Sequence, residues 1–453
     1  MDHSILISQI QALVPMDDEG TILQDASLLI RGNQIEALGP AEQLAQWVNR
    51  ADEVIDGRNL LVLPGLVNTH HHMFQSLTRA MAQNDELFQW LRTLHPIWGG
   101  LRGEDVYISA KLAMAELLLS GCTTTSDHLY LFPNDVRLED EIRAATEMGI
   151  RFHAARGAMS LGKSKGGLPP DHICEEEEAI LQDMQRVIEA HHDADPYSML
   201  RIVLAPCAPF TVTHDLMIEA AMLARSYGVS LHTHLAENDN DVQYSLEHFK
   251  MRPGEYAESL GWLGSDVWHA HCVKLDAAEI QLFARNHTGV CHCPVSNMRL
   301  ASGIAPIRQM LDAKVAVGLG VDGTASNDSG NLLQETRQAL LLQRVAGDPA
   351  GLSAREALTL ATRGGADVLG REDIGRLAPG TAADIIAFRT DQISFAGAQH
   401  DLLAGLVFSP PPGVTHSWVN GKPRVKDGIL LDVDLPLLIE KHNQCAHRLI
   451  AAG

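Results

Sequence analysis

Five clusters of residues in this chain have the types and spacing to do chemistry. The first is Asn68-Thr69-His70-His71-His72, at the end of an apolar, β-branched run. In an extended segment, residues two apart share a face, so His70 and His72 point one way and His71 the other. Two imidazoles side by side are half of a zinc site. The second cluster is His232-Thr233-His234 with Glu237, the third His269-Ala270-His271-Cys272, and the fourth Val321-Asp322-Gly323. The fifth, Cys291-His292-Cys293, offers two thiols that read either as metal ligands or, better, as small buried hydrophobes. His292 between them is a candidate to face a substrate. No His-Glu-x-x-His run is present, so zincin chemistry is excluded. Pro206-Cys207 has no second cysteine in place, which excludes the zinc deaminase signature of nucleobase-editing enzymes.

Imidazoles and carboxylates this far apart in sequence must be brought together by the fold. The middle of the chain alternates short apolar runs with helical stretches, and the spacing predicts eight strands. They are Leu61–His72, Thr123–His128, Arg151–Gly157, Arg201–Pro206, Val229–Glu237, Val267–Val273, Gly289–Pro294 and Val315–Gly323. Helices are expected at Glu104–Ser120, Asp135–Met148, Glu175–His191, His214–Tyr227 and Ala277–Asn286. Eight strand-then-helix units argue for an α/β fold, a (β/α)8 TIM-like barrel rather than a doubly wound sheet. The first four clusters then end strands one, five, six and eight, at the face where such barrels carry their active sites.

Both chain ends differ in style. Residues 1–62 and 375–433 hold short strands with turn signals, Asn420-Gly421 the strongest. They are expected to form a small β-sandwich domain that the barrel, residues 63–374, interrupts; a C-terminal helix follows over 434–453. Residues 158–170, rich in Gly, Ser, Lys and Pro, fit both a lid and a plain surface loop.

The run from Pro64 to His72 (Pro-Gly-Leu-Val-Asn-Thr-His-His-His) resembles the opening motif of the amidohydrolase superfamily. The stretches around His234 and Glu237, Ala270-His271-Cys272, Val321-Asp322-Gly323 and Gly375 to Asp384 are similar to its later motifs. This resemblance implies one zinc, or another divalent transition metal such as Fe2+, held by His70, His72, His234 and Asp322. It also implies catalytic roles for Glu237 and His271. The chemistry is coherent: zinc brings the pKa of a bound water to roughly 7 and so supplies hydroxide at neutral pH. Asp322 can take the water's proton, His271 can polarise the group under attack, and Glu237 can carry a proton to a poor leaving group. Two-metal members usually have a bridging lysine ending strand four; the run Arg201–Cys207 has none, which points to the mononuclear deaminase branch. A scaffold that has lost its metal is the remote alternative, disfavoured because every ligand type is present.

His70 to Arg79 resembles the guanine-type and triazine-type deaminases of the superfamily. Gln75, whose amide both donates and accepts, suits a heterocycle with adjacent N–H and C=O groups. Trp90, in the first βα loop, is expected either to wall a flat ring or to pack in the core. Arg156 ends strand three, placed either for a ring carbonyl or for a structural ion pair. The segments Gly121 to His128, Arg156 to Gly162 and Gly166 to Pro170 are similar to those of purine-deaminating members. They imply hydrolytic deamination of 8-oxoguanine to urate and ammonia, with guanine-type or s-triazine amino- or chloro-hydrolysis as the alternative.

Composition limits the partners. Lys plus Arg number 35 against 57 acidic residues, a formal net charge of -22 that disfavours nucleic acid and anionic membrane. A small-molecule heterocyclic substrate is the expected partner, and a homodimer is compatible with the surface. Seven cysteines, an odd and scattered count in a long chain, argue against a disulfide framework and point to a cytoplasmic protein. The first residues lack the pattern of a signal peptide.

Overall fold

A computed structural model describes residues 3–452. Eight parallel strands close into a barrel: Leu66–Asn68, Cys122–Leu129, Arg151–Ala158, Leu200–Pro206, Ser230–Leu235, Val267–His271, Gly289–His292 and Val317–Leu319. Each expected strand has its counterpart, and the (β/α)8 class is what forms. The helices at Gly103–Leu119, Leu138–Met148, Glu177–His191, His214–Tyr227 and Ala277–Asn286 match the expected positions. The barrel strands are almost wholly buried, lined inside by polar groups at their C-terminal ends and packed outside against the helices' apolar faces.

Two boundaries differ from expectation. The run Leu61–His72 is not one strand. Leu60–Pro64 pairs antiparallel with Ile385–Arg389 in the outer sheet, and after Gly65 the chain enters the barrel at Leu66. Gly65 sits so close to Thr123 that a Cβ there would lie 2.0 Å from its Oγ1. An apolar run carries no information on which sheet will take it, so the crossing could not be read from the pattern. Similarly, the eighth run breaks after Leu319, and Asp322–Gly323 pairs instead with His71–His72.

A further difference is a helix, Leu87–Trp98, inside the connection expected to be a loop. Glu86 caps it, accepting from Phe88 and Gln89 N–H groups, and Leu87, Trp90, Leu91, Leu94, His95 and Trp98 form one buried face. Pro96 near its end masked the helical pattern.

Strands from both chain ends form one nine-stranded sheet. Its hairpin at Asn420-Gly421 has both residues at positive φ, 52° and 75°, as a two-residue turn requires. A fully buried bidentate ion pair, Arg151 to Asp384 at 3.0 and 3.1 Å, ties this sheet to the third barrel strand. The C-terminal helix, Leu435–Ala452, packs beside the barrel mouth; its His442 ring pairs with Ser76 Oγ at 2.9 Å.

Candidate active site

The barrel's C-terminal end gathers most of the expected residues into one pocket. His72, His234, His271, Asp322, Glu237, Gln75 and Trp90 all line it. His70 lies immediately beneath, fully buried, its ring 4.6 Å from that of His72 and 4.9 Å from that of His234.

Hydrogen bonds fix the tautomers of the three imidazoles. His72 Nδ1 donates to the His128 carbonyl at 2.7 Å, and His234 Nδ1 donates to the Cys207 carbonyl at 2.6 Å. His70 needs a longer chain. His232 Nδ1 donates to the Trp268 carbonyl at 2.9 Å, so its Nε2 must accept, and His70 Nδ1 donates to it at 2.8 Å. Every Nδ1 proton is thus committed outward, and all three Nε2 lone pairs turn inward.

The result is a cluster of acceptors with nothing to accept. His72 Nε2 and His234 Nε2 stand 3.0 Å apart, and Asp322 Oδ1 lies 3.2 Å from His70 Nε2 and 3.5 Å from His72 Nε2. His70 Nε2 is buried without a partner. Burial pushes the His72 imidazole down to about 3 and holds His234 well below its usual range, so both are neutral. Facing lone pairs at such spacing repel unless a cation lies among them; spacings of ~3 Å are those of ligands around one ion with Zn–N bonds of about 2.0 Å. The donor set, three neutral imidazoles and a carboxylate, fits a divalent transition metal. His128 also comes near this cluster; its Nε2 donates to the Ala205 carbonyl at 2.7 Å and its Nδ1 is unpaired.

Beside this centre, His271 Nδ1 donates to Asn297 Oδ1 at 3.0 Å, which aims Nε2 at Glu237 Oε2 (3.5 Å) and Asp322 Oδ2 (3.8 Å). Burial opposes charge on His271, but Glu237 and Asp322 outweigh it and hold its pKa above the ordinary value. Glu237 is pushed up to about 7, chiefly by burial. His271 at φ 71° and Asp322 at φ 60° adopt left-handed backbone, a conformation costly for side-chain-bearing residues and common where a site dictates geometry.

Matching residues 61–424, the model of the amidohydrolase family covers most of the sequence. The chain belongs to the amidohydrolase family. It is 45% identical to 8-oxoguanine deaminase of Pseudomonas aeruginosa over 424 residues, 93% of this chain and 94% of that one. Hydroxydechloroatrazine ethylaminohydrolase of Pseudomonas sp. is 37% identical, with 92% and 89% covered. Among solved structures, atrazine chlorohydrolase from Arthrobacter aurescens complexed with zinc superposes with a TM-score of 0.92 at 36% identity, covering 98% of this chain and 100% of that one. The family's barrel and a metal-dependent hydrolase site are therefore this chain's own.

The remaining expected residues divide. Gln75 sits in a short helical turn, Met73–Thr78; its Nε2 donates to Tyr130 Oη at 3.5 Å and its Oε1 is unpaired. It lies against Gly323, where a Cβ would come within 1.8 Å of that oxygen. Trp90 is anchored by Nε1 donating to the Ala325 carbonyl at 3.1 Å and presents its ring as a wall. Arg156 does not reach the pocket. Its donors are spent on Asp183, Glu175 and the Gly157 carbonyl, and it stacks over Phe132, so the structural ion pair is the correct alternative. His292 is also off the pocket wall, buried with both ring nitrogens unpaired. Cys291 and Cys293 are fully buried free thiols in an apolar cluster, as small hydrophobes would be.

Sequence reasoning did not assign His232, Asn297 or Tyr130. His232 lies two residues before His234, on the same strand face, and that period was the available signal. Asn297 follows strand seven with no motif to mark it. The segment 158–170 closes on itself, Lys163 N–H donating to the Pro169 carbonyl and Ser164 to Asp171, and does not line the pocket. No helix among the described residues is long and apolar enough to cross a membrane.

Proposed function

We propose that this protein removes ammonia hydrolytically from an amino-substituted nitrogen heterocycle, with 8-oxoguanine converted to urate as the reaction it serves. The observation that carries the reading is Glu237. Its carboxyl is buried, held near neutrality and aimed into the pocket beside His271 Nε2. Amide ion cannot leave a ring carbon unprotonated, so deamination needs such a carrier, whereas hydrolysis of a halide does not. The 45% identical 8-oxoguanine deaminase supports the substrate.

His70, His72, His234 and Asp322 would hold a single zinc ion, which when bound supplies Lewis acidity and brings the pKa of water to roughly 7. Asp322 Oδ2, which accepts from Ser326 Oγ at 3.3 Å and faces His271 Nε2 at 3.8 Å, takes the proton of the attacking water. His271, oriented by Asn297, steadies negative charge as the ring carbon becomes tetrahedral. Glu237 gives its proton to the ring nitrogen, then carries the hydroxyl proton of the tetrahedral carbon to the departing amine, and is reprotonated by the proton that Asp322 took from water, so H2O and C–NH2 become C=O and NH3. Gln75, donor and acceptor in one side chain, pairs with the ring's adjacent N–H and C=O, and Trp90 covers its face.

Glu237→Gln keeps the shape and removes the proton. Ammonia release from 8-oxoguanine is expected to fall at least 100-fold in kcat, while turnover of a chloro-triazine, if any, is little changed. Undiminished deamination by this variant would rule the reading out, and a wild-type preference for chloro-triazine would put the halide-releasing alternative first.

A further inference from the structure

One wall of the pocket, built by a single helix, carries one polar side chain that nothing in the reaction uses. Helix Leu87–Trp98 lays Leu87, Trp90, Leu91 and His95 along the pocket. Three are apolar or aromatic; His95, one turn after Leu91, is an imidazole only 1% exposed. Neither of its ring nitrogens has a hydrogen-bond partner. Burial pushes its pKa down to about 3, so it is neutral and offers one donor and one acceptor. An unpaired buried polar group costs stability, and any apolar residue would fill the helix face without that cost. His292 is equally unpaired but does not face the pocket.

His95 stands apart from the reacting end. The site imidazoles crowd together, His70–His72 at 4.6 Å and His234–His271 at 5.5 Å. Among the described residues, the ring contact of His95 is with Trp98 alone, at 5.8 Å, and the charge it senses is Lys163, in the connection after strand three. Neither a ring contact nor a charge contact links His95 to the site imidazoles or to Glu237 among the described residues, although all of them except His70 line the same pocket.

We propose that His95 is a specificity-determining residue that hydrogen-bonds the remote edge of a bicyclic substrate, selecting oxidised purines over single-ring analogues. This rests on the deaminase reading above. The second ring of 8-oxoguanine carries both N–H and C=O at that edge, and a neutral imidazole can serve either by choice of tautomer. A site with a desolvated polar group rejects a ligand that leaves it unpaired.

The test compares wild type, His95→Leu and His95→Gln on 8-oxoguanine and on isocytosine, which corresponds to its amino-bearing ring alone. Urate affinity is measured separately by equilibrium dialysis. In His95→Leu the ratio of kcat/KM for bicycle over monocycle is expected to fall roughly 10-fold, through KM more than kcat. Urate should bind weaker by a similar factor. His95→Gln, which keeps a donor and an acceptor, should recover part of both. Thermal stability of His95→Leu should be unchanged or higher, because the native protein gains nothing from the unpaired ring. An unaltered ratio with unaltered urate affinity, or a fall in Tm with KM intact, overturns the proposal. Should wild type release no ammonia from any heterocycle, the deaminase reading fails by itself. Urate binding then decides the role of His95, and no binding, or equal binding by the variants, ends it.

Discussion

Glu335 is fully buried, and its carboxylate accepts from the Val295 N–H at 3.1 Å and from Asn327 Nδ2 at 2.8 Å. Asn327 also donates to the Val321 carbonyl, at 2.6 Å, so this pair braces the turn that presents Asp322. Burial pushes the Glu335 carboxyl up to about 8 from its ordinary 4.5. The sign follows from linkage: the unfolded chain ionises first, so the group's contribution to stability is complete below about 4.5 and is lost as pH rises toward 8. Glu335→Gln has no such proton to lose. Melting curves of variant and wild type should diverge in the variant's favour between pH 5 and pH 8, then run parallel; parallel curves throughout would show that Glu335 is not held neutral. Residue chemistry of this kind was half legible in the sequence. Ligand types and same-face spacing marked His70, His72, His234 and Asp322, but the tautomer of His70 depends on His232, 162 positions away. Arg156 shows the converse: an arginine ending a barrel strand looks like a substrate group until Asp183 and Glu175 arrive from the following segment.

At the scale of elements, the site depends on joints between segments. The motif ending at Asp384 returns the chain to the outer sheet. Its carboxylate pairs with Arg151 and also accepts the Asn420 N–H at 2.7 Å, while its carbonyl accepts the Gly65 N–H at the entry to the first barrel strand. Asp384→Asn would leave a fully buried guanidinium without its counter-charge, costing about 3–5 kcal/mol. A Tm lower by several degrees is expected, with the zinc content of the surviving folded protein retained. A variant melting with wild type would mean that this joint carries no weight. The long amphipathic helices were readable because many turns repeat one pattern. Helix Leu87–Trp98 was not, because Pro96 breaks the pattern and a loop is the default between strand one and the next long helix. Leu60–Pro64 and Leu66–Asn68 read as one strand because burial, not partner, sets their composition.

For the whole molecule, the proposed metal ligands come from strands on opposite sides of a closed barrel, so an ion held by them would stabilise only the folded chain. By mass action, wild type stripped by a chelator should melt several degrees below the zinc-loaded protein, and stoichiometric zinc should restore it. Identical melting of stripped and loaded protein would remove the centre from the account. The barrel's closure also makes the pocket a shared product of the helix Leu87–Trp98 and of residues at or just beyond the ends of the barrel strands, from His72 after the first to Asp322 after the eighth.

The sequence alone determined the barrel, the family and the residue types that could bind a metal, because strand-helix alternation and short motifs are local properties of the chain. Only the tertiary structure decided which nitrogens face inward, that Arg156 is spent and that His95 is unpaired on the pocket wall. Hydrogen-bond partnership depends on neighbours brought from distant segments, and no local pattern encodes who those neighbours are.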